Sequence, residues 1–91
     1  MLKVTLDYKL AIQLETIRRS GDCNMLDYHC VQRRASESDF FELVNWMVDH
    51  KRTYARLVFR GYSVISRDGV TYPHEVYFEK YAIADESLGK N

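Results

Sequence analysis

The sequence predicts an α+β fold, with three to four short helices in a small bundle followed by a C-terminal β-hairpin or three-stranded antiparallel sheet. Between about residues 6 and 60, apolar residues recur every three or four positions and are bounded by helix caps and stops. After Gly61 the pattern changes to β-branched and aromatic runs on either side of Asp68-Gly69, a strong hairpin signal. A length of 91 residues suits one domain, divided into a helical part at 6–60, a hairpin part at 61–84 and a frayed tail at 85–91.

The first helix is expected to start at Asp7, a good N-cap, and to run to Arg19. Leu6, Leu10, Leu14 and Ile17 draw one apolar stripe, Arg18 and Arg19 suit the last turn, and Ser20-Gly21 supplies the stop. Asn24 or Asp27 caps a second helix reaching Ala35, with Tyr28, Val31 and Ala35 on one side and Leu26 and Cys30 nearly opposite. Ser38 or Asp39 is read as the N-cap of a third helix, Phe40 to His50. That helix is apolar around most of its circumference, so it reads as the hub of the core. Truncating Phe41 or Trp46 to Ala is then expected to cost roughly 3–5 kcal/mol.

Residues 53–60 fit either a helix ending at Gly61 or a strand, and the helix is preferred. In the hairpin a two-residue turn sets Arg67 opposite Val70 and Ile65 opposite Tyr72. Pro73 ends the second strand or lies at an edge, because it cannot donate to a ladder. Alternation of Tyr77, Glu79, Tyr81 and Ile83 favours a third strand over a helix at 75–84.

Thirteen basic and thirteen acidic residues cancel, so neither the basic excess of a dedicated DNA binder nor the acidic excess of a DNA mimic is present. No apolar run approaches the roughly 20 residues that span a bilayer. The N-terminus lacks a signal-peptide pattern, and a cytoplasmic protein is expected. There Cys23 and Cys30 would stay reduced as small semi-buried side chains. With His29 they give C-x5-H-C, which lacks the paired spacing of a zinc knuckle and would need His50 or His74 as a further ligand. No metal site is read.

From Leu14 to Gly61 the chain resembles a family of small proteins of unknown function encoded by phages and prophages of Gram-positive bacteria. The resemblance rests on Arg18-Arg19-Ser20-Gly21, Asn24-Met25-Leu26-Asp27, Val31-Gln32-Arg33-Arg34-Ala35, Phe40-Phe41-Glu42-Leu43-Val44 and the segment Tyr54 to Gly61. Asp39 stands where that family usually has Gly, which is read as exchanging a flexible approach for an N-cap. The chain also continues past Gly61, where members often stop, so the hairpin reads as this protein's own addition. The resemblance implies a phage accessory protein and assigns no catalytic residue.

No P-loop, nucleophile elbow, dinucleotide fingerprint or H-E-x-x-H motif is present, and neither enzymatic activity nor a cofactor is expected. Arg52, Arg56 and Arg60 form a row at four-residue spacing beside a tyrosine-rich segment. Arginine and tyrosine are the residues enriched in protein interfaces. The partner-binding candidates are Arg52, Arg56, Arg60, Tyr62, Arg67, Tyr72 and Tyr77. The expected function is inhibition or diversion of a host protein, with a nucleoprotein immune effector (an anti-CRISPR-like role) as the specific form. A homodimer is compatible with the two-faced second helix and an uncovered strand edge. The alternative is a winged-helix-like DNA-binding modulator. It is disfavoured because the third helix, taken as the reader, presents Glu42, Asn45 and Asp49.

Overall fold

The computed structural model describes residues 4–81. Its elements are β1 (Val4–Asp7), α1 (Tyr8–Ser20), α2 (Tyr28–Glu37), α3 (Phe41–Asp49), α4 (Lys51–Arg60), β2 (Tyr62–Ile65), β3 (Thr71–Pro73) and α5 (His74–Lys80). The fold is α+β, with a three-stranded sheet in the order β1-β2-β3. β1 runs parallel to β2 and β3 antiparallel to it, so the sheet is mixed rather than wholly antiparallel. Four helices lie between β1 and β2, as a parallel pair requires a crossover. Leu6 of β1, expected on the first helix's stripe, instead pairs in register with Val64 and is buried with it.

Local signals set most of the helix ends. The Asp7 carboxylate accepts the Lys9 N–H at 3.1 Å, and Gly21 closes α1 in the left-handed conformation. Asp27 caps α2 by accepting the Cys30 N–H at 3.1 Å, while Asn24 closes the preceding turn on the Leu26 N–H at 2.9 Å.

Asp39 is not an N-cap. With φ +62°, it lies one residue past Ser38, the C-cap of α2. Its N–H reaches the Ser36 carbonyl at 3.1 Å, and the Phe40 N–H reaches the Ala35 carbonyl at 2.8 Å. This is the two-bond stop that glycine usually occupies. Phe40 precedes α3 and offers no side-chain cap. Gln13 of α1 takes that role, accepting the Leu43 N–H at 3.1 Å and donating to Glu42 at 2.8 Å.

α3 is not buried all round. Leu43 and Met47 are fully buried, whereas Phe41 is 58% and Val48 61% exposed. Trp46 is half-buried and stacks on His50, ring centroids 4.8 Å apart. His50 alone separates α3 from α4, so the chain turns a sharp corner there. Residues 53–60 fall within α4.

The hairpin loop has three residues instead of two. Ile65 pairs with Thr71, not Tyr72. The Ser66 N–H meets the Val70 carbonyl at 2.8 Å, and Gly69 bonds back to the Ser66 carbonyl at 2.9 Å. Gly69, with φ +86°, absorbs the left-handed position that such a loop needs. Pro73 ends edge strand β3 and opens α5, which replaces the strand expected from 75 onward. Tyr77 and Phe78, adjacent in sequence, are both buried, which a helix wedged against the sheet permits. The expected continuation to 84 and the frayed tail at 85–91 lie outside the described residues.

Cys23 and Cys30 are joined as a disulfide with Cα atoms 5.8 Å apart, contrary to the expectation of free thiols. The bond closes a small ring over the α1–α2 loop and the first turn of α2.

Two substitutions separate this core from the one expected from the sequence. Leu43→Ala should cost about 3–5 kcal/mol in chemical denaturation, and Phe41→Ala less than about 1 kcal/mol. Asp39→Gly should stabilise the chain by about 1 kcal/mol, read as a higher denaturation midpoint at unchanged slope.

Candidate functional site

α4 is an amphipathic helix with a sharply divided surface. Tyr54 and Leu57 face the core, and Arg52, Ala55, Arg56, Phe59 and Arg60 are exposed. These five follow the three-and-four spacing of a single helix face. Phe59 is 74% exposed. Neither Arg52 nor Arg56 has an ion-pair partner among the described residues. The row from Arg52 to Arg60 spans about 12 Å of helix axis.

The first turn of α4 is anchored from the disulfide loop. The Tyr54 hydroxyl donates to the Met25 carbonyl. Its ring meets Tyr28 edge-on with centroids 5.7 Å apart. The Tyr28 hydroxyl donates to the Met47 carbonyl at 2.7 Å, near the end of α3, and Lys51 lies over the Tyr28 ring at 5.2 Å. A recess of about 350 Å³ lies between Leu26, Tyr28 and Arg52.

The other end of α4 borders a cleft of about 350 Å³, where Arg60 and Phe59 face Glu15, Arg18, Tyr62 and His74. Glu15 is 4% exposed. It accepts hydrogen bonds from Arg18 at 2.6 and 2.9 Å and from Arg19 at 2.7 Å. Burial pushes its carboxyl up, but the hydrogen bonds and charges of the two guanidinium groups outweigh that and hold it below the ordinary value of 4.5.

His74 stacks on Tyr62, centroids 4.5 Å apart, with Nδ1 3.1 Å from the Tyr62 carbonyl. The Tyr62 N–H also lies 3.5 Å from Nδ1, so Nδ1 sits between the backbone donor and acceptor of Tyr62. Gly61 makes this approach feasible: it has φ +81°, and a Cβ there would lie 3.1 Å from the imidazole. Among the described residues, the cleft lining contains no Ser, Thr or Cys.

The structure divides the candidates named from the sequence. Arg52, Arg56 and Arg60 do share the exposed face of α4. Tyr62 and Tyr77 are 5% and 4% exposed, so they belong to the core and cannot offer contact area. Tyr72 is half-buried among Tyr77 and Tyr81. Arg67 sits over the Tyr8 ring at 5.5 Å, at a separate recess with Ile12, Tyr77 and Tyr81. Among the described residues, these candidates therefore do not form a single Tyr/Arg surface. Phe59 was missed because its spacing fits either face of a short helix; its place between arginines was the available signal. Pairing removes Cys23 and Cys30 as metal ligands, and no metal-binding cluster occurs among the described residues.

The span from Leu6 of β1 to Tyr62 of β2 is also the segment matched by the family described as Domain of unknown function (DUF5049), residues 6–62. The chain belongs to this family. The DUF5049 segment includes α4 entire, and the hairpin and α5 follow it. No curated protein and no solved structure matches the chain. No described helix is long and apolar enough to cross a membrane.

Acid titration tests the Glu15 cluster. A carboxylate held below its unfolded value stabilises the fold above that value, and the contribution is lost as pH falls through the folded value. Stability should therefore decline as pH drops below about 4.5. Glu15→Gln should be less stable at pH 7 and should show a flatter decline, measured by denaturant midpoint against pH.

Proposed function

We propose that this DUF5049 chain is a non-catalytic binding module that docks α4 on a host protein and blocks or diverts it. It would be a phage-encoded accessory protein of the kind the sequence resemblance implies, acting in the host cytoplasm, with an anti-defence inhibitor as the specific form. The observation that supports this reading is the exposed face of α4, where a largely uncovered Phe59 shares the surface with Arg52 and Arg56, neither of which has an ion-pair partner among the described residues. An aromatic anchor flanked by arginines is the composition of interface hot spots. The matching partner surface is an apolar pocket rimmed by carboxylates.

A second reading gains from the position of α4. As the reader of a winged helix, α3 would bring the acidic face of Glu42, Asn45 and Asp49 to DNA. The helix that immediately precedes the hairpin is α4, and its exposed face is basic. Duplex DNA is therefore a second candidate partner, with α4 in the major groove.

Site-specific photocrosslinking checks the first reading. A benzophenone side chain at position 59 should capture a discrete partner in host cells, and one at the exposed position 71 should not. Arg52→Glu/Arg56→Glu should abolish the capture without altering the fold, and Phe59→Ala should weaken binding of the captured partner by about 2 kcal/mol. Equal capture from both positions would count against docking through α4. Tight duplex binding in a gel shift, weakening steeply with salt at a log–log slope of about −0.9 per phosphate contacted, would establish the second reading instead.

A further inference from the structure

We propose that the Cys23–Cys30 pair is a redox switch that sets the α3–α4 corner and thereby the binding face of α4, an inference that rests on reading α4 as the docking helix. The ring closed by the bond contains Met25, Leu26 and Tyr28. Met25 supplies the carbonyl that receives the buried Tyr54 hydroxyl of α4, and Tyr28 reaches the Met47 carbonyl near the end of α3. Leu26 and Tyr28 also wall the recess beside Arg52. The disulfide thus constrains the loop that grips both helices of the corner.

The loop's other ties lie at its ends: the Arg34–Asp22 ion pair at 2.9 Å and the Asp27 cap. Neither holds Met25. Without the disulfide, the Met25 carbonyl depends on the Asn24 turn, on the packing of the half-buried Met25 side chain against the core and on Tyr54 itself. In a reducing cytoplasm a disulfide is commonly transient and sensing, whereas a permanent staple belongs to oxidising compartments.

The exchange chemistry balances with a cellular dithiol as reductant. Its thiolate attacks Cys23 Sγ, breaking the S–S bond and expelling Cys30 as a thiolate. The Arg33 guanidinium lies 3.8 Å from that sulfur and pairs with the charge. The reductant's second thiol then displaces Cys23, and both cysteines end protonated. The protein gains two electrons and two protons, and the dithiol becomes a disulfide.

Hydrogen exchange on the full chain tests the proposal, comparing the oxidised protein, the dithiothreitol-reduced protein and Cys23→Ser/Cys30→Ser. Alkylation followed by intact mass assigns the redox state of each sample. Relative to the slowest amides of β2, so that a uniform loss of stability cancels, residues 23–28 and the first turns of α4 should exchange about tenfold faster in the reduced and double-Ser forms. Equal acceleration of α4 and β2 would make the bond a staple and overturn the switch. So would a pair that remains dithiol in oxidised glutathione. The chain is tested alone, so this experiment fails only if the switch fails, whereas crosslinking at position 59 fails only if the docking face does.

Discussion

The fold depends on two tyrosine hydroxyls, that of buried Tyr54 and that of half-buried Tyr28, and the carbonyls they reach. A hydroxyl removed from water without a partner costs on the order of 1–3 kcal/mol, so each fixes its acceptor as firmly as it is fixed. Tyr54, 2% exposed, joins α4 to Met25 in the loop after α1. Tyr28 joins α2 to Met47 near the end of α3. Burial, followed by the nearby charge of Asp27, pushes the Tyr54 hydroxyl up to about 12. It therefore stays protonated and able to donate at any physiological pH. The chain must turn three times between Ser20 and Lys51 before β2 can return parallel to β1. These bonds, together with the Gln13 side chain that reaches from α1 to the start of α3, hold those turns where local capping is weak.

The same arrangement separates the charges. A net charge of zero suggests a bland surface, but the acids and bases are not evenly distributed. Glu15 takes both Arg18 and Arg19, and Asp22 and Glu37 both take Arg34. On α4 the described carboxylates leave Arg52 and Arg56 uncompensated. Bulk charge thus averaged a paired region with an unpaired one, and only the geometry shows which guanidinium groups are available to a partner.

What the sequence revealed was local. Asp7, Gly21, Asp27 and Asp68-Gly69 act within a few residues of themselves, and each marks an end or turn as its chemistry dictates. The arginine row was legible because four-residue spacing on a helix is a face regardless of what packs behind it. What it concealed was tertiary. Four residues of β1 have no periodicity of their own, and Leu6 fits a helical stripe as well as a strand. The paired cysteines depend on how the loop folds back. Phe41 and Val48 look like core because composition cannot say which side of α3 meets the bundle. Tyr62 and Tyr77 look like surface for the complementary reason. Asp39 shows the subtler failure: an Asp between helices reads as a start, but its positive φ makes it a stop, which also explains why glycine suits that position.

The position of Phe59 favours a protein partner over DNA. A helix reading the major groove presents groups able to hydrogen-bond base edges from the centre of its exposed face. Here Arg52 and Phe59 project from the middle of that face, opposite the buried Tyr54 and Leu57, with Ala55 and Arg56 on either side. A phenyl ring can meet a thymine methyl but satisfies no base-edge donor or acceptor, and it would displace the waters that otherwise do so. Against a protein, the same ring fills an apolar pocket while the arginines engage its carboxylate rim, so every group on the face has a partner of its own kind. The arginines alone suit either partner; Phe59 beside them suits the protein better.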